Sequence, residues 1–268
     1  MNESYIELTY GQVGLAALLI VINGAISFLL RLGMERSLLV ASIRTVLQLL
    51  LIGFVLQWIF DPRRGWPTVA ALMFLMTLIA SAAAVQRTDR RFPGIWLTSI
   101  VSIGASAWLV TGFALAVVLQ EVRPWYQPQY AIPLLGMILG NTLNGISLGL
   151  GRLGEELTAH RDEVEALLTL GATRWEAARR PIQQAIRTGM VPIINSMMVV
   201  GLVSLPGMMT GQLLSGTRPT EAVKYQIVIM FLIASSSALG TAGAVLLSYR
   251  RLFNSRHQFL YQLIEQRR

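Results

Sequence analysis

The chain has 268 residues, of which 54% are hydrophobic and 13% are charged, and its formal net charge at pH 7 is +8. So high an apolar content excludes a soluble domain with a single core and indicates a membrane protein. The absence of cysteine from the sequence excludes disulfide frameworks and thiolate metal sites.

Seven apolar runs are each long enough to cross a bilayer, which requires roughly 20 residues. The runs lie at about 10–30, 38–60, 68–86, 95–119, 130–151, 190–214 and 225–248. The sequence therefore predicts an all-α, polytopic transmembrane helical bundle with about seven spans. We expect residues 1–268 to form a single transmembrane domain.

The segments between these runs alternate in their content of basic residues. On one side of the predicted membrane they carry 16 Lys and Arg residues, and on the other side they carry five. Since basic loops face the cytoplasm, the sequence predicts an external N-terminus and a cytoplasmic C-terminus in a cell inner (plasma) membrane. Contact with the anionic inner leaflet accounts for the positive charge, so we expect a lipid bilayer as partner and no nucleic acid.

Acidic groups and histidines are missing from the predicted spans. All 14 acidic residues and both histidines lie in predicted loops or tails. Intramembrane proteases, metalloproteases and proton-coupled pumps need such groups at membrane depth, so these classes lose support and a secondary transporter is disfavoured. We expect a membrane protein that is not an enzyme.

One charged side chain, Arg44, falls within a predicted span, and Gln48 lies one turn further on the same helix face. Charge at membrane depth usually faces a bundle interior or an aqueous cavity, which makes both residues candidates for lining a pathway or pinning a neighbouring helix. The alternative is that Arg44 lies close enough to the cytoplasmic end to extend its guanidinium to the headgroups. The sequence leaves both interpretations open.

Two segments share the pattern Gly-Met-x-x-Gly-[Asn/Gln] after a proline, namely Pro133 with residues 136–141 and Pro206 with residues 207–212. Glycines four residues apart lie on one helix face and allow ordinary close packing, which is the first interpretation. In the second interpretation, two proline-broken helices line a central pathway. The candidate pathway residues are then Arg44, Gln48, Asn141, Asn144, Asn195, Met197, Met198, Ser204, Met208, Met209 and Gln212.

The longest polar stretch, at about 152–188, predicts a helix, a glycine elbow and a second helix on the cytoplasmic face. Gly171 suits the C-terminal cap of the first helix, and Thr173 with Glu176 forms a capping box for the second. Such an element is typical of a docking surface for a soluble partner. The alternative is an amphipathic helix that contacts only lipid headgroups.

Residues 165–172 resemble the EAA motif of ABC-transporter permeases, with a Glu-Ala pair and a glycine six residues after the glutamate. In those permeases the motif forms the helix that sits in a cleft of the ATPase subunit. The motif departs from its usual form at Leu167, which replaces a second alanine, and at residues 181–184. The resemblance implies an ATPase-coupling role for Glu165, Ala166, Gly171 and Ala172.

Residues 201–209 and 222–226, together with 132–141 and 254–258, are similar to the FetB-like (UPF0014) group of ABC-transporter permeases. The likeness covers almost the whole chain, and the Ser-Leu-Pro-Gly-Met-Met block at 204–209 is highly specific. It implies that residues 1–268 form a permease domain that pairs with a FetA-like ATP-binding subunit and with a second copy of itself.

The resemblance also implies export of iron or of another metal-related substrate, since the group includes bacterial iron export permeases and plant aluminium-tolerance proteins. Transport of a nucleotide sugar or another small solute by an ABC transporter stays open as an alternative. The sequence assigns no metal ligands within the spans.

A phosphate-binding loop for ATP is missing, because the only lysine, Lys224, lies between Val223 and Tyr225 rather than at the end of a glycine-rich run. We therefore expect no cofactor on this chain, with ATP and magnesium bound by a partner subunit. A channel or facilitator that works without an ATPase is the remaining alternative.

Overall fold

A computed structural model of the protein describes residues 9–61, 65–120 and 123–266. The predicted external N-terminal tail, residues 1–8, lies outside these ranges. The basic pairs Arg63–Arg64 and Arg267–Arg268, which enter the orientation argument, lie outside them as well.

Nine α-helices and one pair of two-residue strands form the regular structure of the described residues, which confirms the all-α prediction. The helices are α1 (Tyr10–Leu29), α2 (Glu35–Ile59), α3 (Trp66–Gln86), α4 (Ile95–Phe113), α5 (Pro128–Ala159), α6 (Arg161–Thr169), α7 (Arg174–Val199), α8 (Gly207–Leu214) and α9 (Pro219–Leu252). A π-helical segment, Ala114–Val118, continues α4. The strands β1 (Arg90–Arg91) and β2 (Glu265–Gln266) pair in antiparallel register.

Six helices in the described part of the chain are long and apolar enough to cross a membrane. They are Gly11–Leu29, Glu35–Ile59, Trp66–Gln86, Ile95–Val118, Pro128–Ala159 and Pro219–Leu252. Six of the seven predicted apolar runs thus correspond to single helices. Several helices extend beyond the predicted bounds. For example, α5 continues for about two turns past residue 151.

The apolar run at 190–214, which the sequence predicts to be one span, is not one continuous helix. Its first part belongs to α7, which begins at Arg174, so the second helix of the predicted elbow and the start of this run are one element. The run is then interrupted between Val199 and Gly207 by a turn in which Gly201 has a φ of +83°. A left-handed residue of this kind cannot continue a right-handed helix.

Pro133 does not break a helix, which contradicts the second of the two interpretations of the Gly-Met-x-x-Gly segments. It lies in the second turn of α5, which continues without interruption to Ala159. A proline near the start of a long membrane helix removes one backbone hydrogen bond, and surrounding helices compensate for that loss.

The described residues divide into two compact units, one containing 9–61, 65 and 214–216, and the other containing 66–120, 123–213 and 217–266. In the first unit, α1 and α2 form a helical hairpin. The Ser27 hydroxyl donates to Glu35 Oε1 at 2.9 Å and accepts from the Met34 amide at 3.1 Å, which fixes the turn. Gly33 supplies the positive φ, +69°, that the turn requires.

In the second unit, α3, α5 and α9 run in one direction and α4 and α7 run in the other. The directions follow from paired positions: Thr142 and Gly149 of α5 lie against residues 236–240 and 241–245 of α9, so these two helices are parallel. Gly145 and Gly149 lie against Gly189 and residue 185 of α7 in reverse order. The chain thus runs the length of the bundle along α5 and returns along α7.

Glycines bring the backbones of α5 and α7 into contact and allow side chains to pack closely between α5, α7 and α9. A Cβ at Gly189 would lie 2.5 Å from the carbonyl oxygen of Gly145 and 2.5 Å from the Thr241 methyl group. A Cβ at Gly240 would lie 2.5 Å from the Thr142 methyl group. Small residues at helix contacts allow this close approach, which replaces the missing hydrophobic driving force within a membrane.

Buried hydroxyl groups fill much of the interior of this unit. Many donate to the carbonyl one turn earlier, as Ser81 does to Thr77 at 2.8 Å. Others bridge helices: Thr142 and Ser236 join α5 to α9 at 2.9 Å, and the Trp108 indole donates to Thr77 at 3.0 Å. Hydrogen bonds of this kind add to the contacts between the packed helices.

Candidate functional site

The elbow predicted from the sequence is present, and we use that name for α6, the turn at residues 170–173 and the first turn of α7. Gly171 ends α6 with a φ of +92°, and the amides of Gly171 and Ala172 donate to the carbonyls of Leu168 and Leu167 at 3.1 and 3.0 Å. This is the glycine-capped helix end that the sequence predicts. Nothing lies within 4 Å of a Cβ added at Gly171, so backbone conformation alone requires glycine there.

The predicted capping box at the start of α7 is also confirmed. The backbone amide of Thr173 donates to Glu176 Oε2 at 2.7 Å, and the Glu176 amide donates to the Thr173 hydroxyl at 3.3 Å. The hydrogen bonds from the Thr173 backbone and then from its hydroxyl hold the pKa of Glu176 below its ordinary value. The cap therefore fixes the direction in which α7 leaves the elbow.

Large apolar side chains are exposed on the elbow. Leu170 is 85% exposed, and Leu167 and Trp175 are exposed beside it, whereas Val164 packs inward. The surrounding surface is charged, so an apolar tip at this position is typical of a surface that another molecule covers.

Glu165 does not project freely from α6. Its carboxylate accepts a hydrogen bond from Arg161 Nε at 2.7 Å, and the Arg161 guanidinium lies 3.3 Å from the centre of the Tyr261 ring. The hydrogen bond that Arg161 donates to Glu165 is the main cause that raises the pKa of Arg161. Glu165 is therefore oriented by a neighbour that itself rests on the C-terminal tail.

The C-terminal tail, residues 253–266, holds the elbow against the ends of the long helices. His257 Nδ1 accepts from the Arg174 amide at 2.9 Å, and the Asn254 carbonyl accepts from the Arg174 guanidinium at 3.3 Å. The tail ends in β2, which pairs with β1 in the α3–α4 connection. The tail thus links the elbow to the end of α9 and to the α3–α4 connection.

A cluster of charged side chains lies between α5, α6 and α7. Glu156 is buried and pairs with Arg152, and His160 lies 3.5 Å from a carboxylate oxygen of Glu156 and 3.5 Å from one of Glu163. Arg180 of α7 approaches Glu163 at 3.5 Å. Among the described residues, no group of three or more His, Cys, Asp or Glu side chains could hold a metal ion.

The residues that resemble the EAA motif all lie on the elbow. Glu165 and Ala166 lie on α6, and Gly171 and Ala172 lie in the turn that follows it. Ala166 and Gly171 are exposed, while Glu165 and Ala172 are half-buried.

The candidate pathway residues are dispersed. Arg44 and Gln48 are exposed on α2, in the first unit, so the alternatives for Arg44 stay open. Asn141 donates to the Met137 carbonyl of its own helix at 2.9 Å, and Asn144 accepts from the Arg87 guanidinium. These two contacts satisfy polar groups at α5 without creating a shared site.

The remaining pathway candidates are near the end of α7 and on α8. Asn195 is exposed on α7, and Ser204 is exposed in the turn after it. Met208 lines a small cavity of about 100 Å³ with Met137, whereas Met209 lines a different cavity. Gln212 is half-buried on α8.

The cavity that Met209 lines has a volume of about 410 Å³ and lies between the end of α7, the following turn, α8 and the first part of α9. Its lining is Met197, Val200, Gly201, Leu205, Met209, Val223, Gln226, Ile227, Met230 and Phe231. Gln226 was not predicted from the sequence, because nothing in its local pattern distinguishes it from other polar residues of α9. Arg161 could have been found, since it stands four residues before Glu165 on a helix.

The model of the family described as "Uncharacterised protein family (UPF0014)" matches residues 10–253. A UPF0014 membrane protein of Synechocystis is 40% identical over 97% of this chain and 100% of that protein. No solved structure matches the chain.

Two further relatives have names that mention a function or a phenotype. The "Probable iron export permease protein FetB" of Escherichia coli is 33% identical over 95% of this chain and 96% of that protein. The "Protein ALUMINUM SENSITIVE 3" of Arabidopsis thaliana is 31% identical over 92% of this chain and 89% of that protein.

Proposed function

The chain belongs to the UPF0014 family of membrane proteins, and on that premise we propose that it is the permease subunit of an ABC transporter. ATP is bound with magnesium and hydrolysed on a separate, FetA-like subunit, and this chain forms the membrane-spanning part as a homodimer. The permease is not itself an enzyme and holds no cofactor.

The observation that carries this proposal is the elbow with its exposed apolar tip. Burying a leucine side chain such as Leu170 in a partner contributes about 1.5–3 kcal/mol. The elbow stands where α5 ends and α7 begins, and these two helices touch along the bundle at Gly145 and Gly189. A displacement of the elbow by a partner would therefore be transmitted directly to the packed helices.

The charge distribution supports the proposed orientation. The end of the second unit that carries the elbow also carries many arginines, which are Arg87, Arg90, Arg91, Arg152, Arg161, Arg174, Arg250 and Arg251. This end would face the cytoplasm of a cell with the chain in its inner membrane. Because α7 returns antiparallel to α5, we count it as a further membrane crossing. The chain then has seven crossings, and its N-terminus lies outside.

We extend to this chain the iron export that the name of the Escherichia coli relative states. Iron or another metal-related substrate would cross hydrated, chelated or bound by amide, hydroxyl and carbonyl oxygens, which are the uncharged ligands that the spans contain.

The affinity of elbow variants for the ATP-binding subunit tests whether docking takes place at the elbow. Leu170→Asp should weaken the complex with the FetA-like subunit by at least about tenfold, since it removes apolar contact and places a charge in the interface. Leu170→Met keeps the apolar contact and should bind normally. Equal affinity of the wild type and Leu170→Asp for the ATP-binding subunit would contradict docking at the elbow.

A further inference from the structure

The C-terminal tail supplies part of the cap at the start of α7. The first backbone amides of a helix have no partner within the helix itself. In α7, the Glu176 amide donates to the Thr173 hydroxyl, and the Arg174 amide donates to His257 Nδ1 at 2.9 Å. The tail therefore binds the elbow through the imidazole of His257.

A tight turn in the tail holds this imidazole in position. The side-chain oxygen of Asn254 accepts from the amides of Arg256 and Gln258 at 3.0 and 2.9 Å, and the Asn254 carbonyl accepts from the His257 amide at 3.3 Å. His257 has a φ of +57°, a left-handed conformation that is uncommon for residues other than glycine. The turn thus fixes where the His257 ring lies relative to α7.

The direction of the hydrogen bond determines the protonation state of His257. The donor is a backbone N–H, so Nδ1 must be the ring nitrogen that carries no proton. An imidazolium has a proton on both ring nitrogens and cannot accept a hydrogen bond. Protonation of His257 would therefore replace the hydrogen bond with two N–H groups that point at each other.

Positive charge surrounds this contact. Arg174 carries the donating amide, and Arg256 precedes His257 in the tail. Arg250 of α9 lies beside the Tyr249 hydroxyl together with Arg174. The N-terminal end of a helix adds a partial positive charge of its own. An imidazolium at this position would be repelled from α7.

The acidic groups of the neighbouring helices bind other partners. Glu176 of α7 accepts from its own capping residue, and Glu165 of α6 accepts from Arg161. No carboxylate in the described part of the chain lies within 4 Å of His257, whereas the other histidine, His160, lies 3.5 Å from two carboxylates. Protonation of His257 thus gains no ion pair in return for the lost hydrogen bond.

We propose that His257 makes the tail a pH-dependent clamp on the elbow, which neutral His257 closes and protonated His257 opens. The contact of Arg161 with the Tyr261 ring and the pairing of β2 with β1 do not change between about pH 5 and pH 8. The tail therefore stays attached while the start of α7 is released. The inference goes beyond the proposed transport function and does not depend on an ATP-binding subunit.

Hydrogen exchange of the full-length protein in phosphatidylcholine nanodiscs tests the clamp at about pH 8 and about pH 5, the range in which histidine ordinarily changes its charge. The protection factors are corrected for the effect of pH on the intrinsic exchange rate. We expect protection of Arg174–Ala177 to fall roughly two- to tenfold at the lower pH, which corresponds to the loss of one hydrogen bond. The Glu176 cap is intact in this range, because the pKa of Glu176 lies below its ordinary value of 4.5.

Two substitutions of His257 separate the hydrogen bond from the charge. In His257→Asn the side-chain oxygen occupies the place of Nδ1, accepts at every pH and tolerates the left-handed backbone, so protection should stay high at both pH values. His257→Lys carries a permanent charge and no acceptor, so protection should be low at both. His160→Gln is the matched control, since it removes the only other histidine and should retain the wild-type pH dependence.

Equal protection of the wild-type Arg174–Ala177 segment at both pH values would overturn the proposal. A pH dependence that persists in His257→Asn, or that disappears in His160→Gln, would overturn it as well, because the titrating group would then be another residue. Loss of protection throughout α5 and α9 at the lower pH would show general destabilisation of the bundle and would also contradict a local clamp.

Discussion

Replacing Gly171 by alanine tests the elbow without disturbing its packing. The residue has a φ of +92°, and a Cβ there would meet nothing within 4 Å. The cost of alanine is therefore conformational only, about 1–2 kcal/mol for a left-handed residue. That free energy shifts the equilibrium between the observed elbow and one in which residue 171 leaves the left-handed conformation by roughly 5- to 30-fold.

The assay is the ATP hydrolysis rate of the partner subunit together with substrate transport, measured at equal amounts of permease in the membrane. We expect Gly171→Ala to lower both by a factor in that range, and Gly171→Asn to lower them less, because asparagine tolerates the left-handed conformation. Gly151→Ala is the matched control: Gly151 lies inside α5 with nothing within 4 Å of its Cβ position, so alanine favours the helix. Unchanged transport in Gly171→Ala would refute the reasoning.

Three further predictions concern stability. Gly189→Ala should lower the free energy of unfolding by about 1–3 kcal/mol, because its Cβ would overlap the α5 backbone; an unchanged melting temperature in detergent would contradict this. Tyr261→Ala should speed hydrogen exchange in α6 roughly two- to fivefold by removing the ring below Arg161, whereas Tyr261→Phe should not; equal exchange in both variants would contradict a cation–π contact. Acidification should reduce protection of the first turn of α7, since Thr173 lowers the pKa of Glu176: the stabilisation is present above the ordinary value of 4.5 and is lost as the pH falls through the lower folded value. Glu176→Gln should show no such pH dependence of the protection factor, and a wild-type dependence retained in that variant would assign it to another group.

Helices whose apolar runs are bounded by polar or turn-forming residues were predictable from the sequence. The elbow was predictable for the same reason, because Gly171 and the Thr173–Glu176 pair are local signals that act within one helical turn. A break at Pro206 was one of two interpretations of the sequence, but the start of the interruption at Gly201 was not predictable, since residues 190–214 are apolar on both sides of the turn and composition does not reveal a single left-handed glycine. Pro133 suggested a helix break that the structure does not have, because membrane helices tolerate proline near their N-terminal end.

The contacts between distant parts of the chain could not be predicted. The sequence contains 23 glycines, and only the three-dimensional arrangement shows that Gly145 and Gly189 meet while Gly140 and Gly211 face open space. The contact of the tail with α6 joins residues that lie far apart in the chain. Such long-range contacts depend on how the helices pack, and one sequence does not specify that packing.

The most direct test of the proposed function is reconstitution of the chain with a FetA-like subunit in proteoliposomes, titrated with ferrous, ferric and chelated iron and with nucleotide sugars. The account predicts a stable complex whose ATP hydrolysis is stimulated by one substrate class, with loss of coupling in Glu165→Ala and Gly171→Pro at normal membrane content. Failure of the two folded proteins to form a complex, with solute crossing the membrane in the absence of ATP, would contradict it and identify a channel instead.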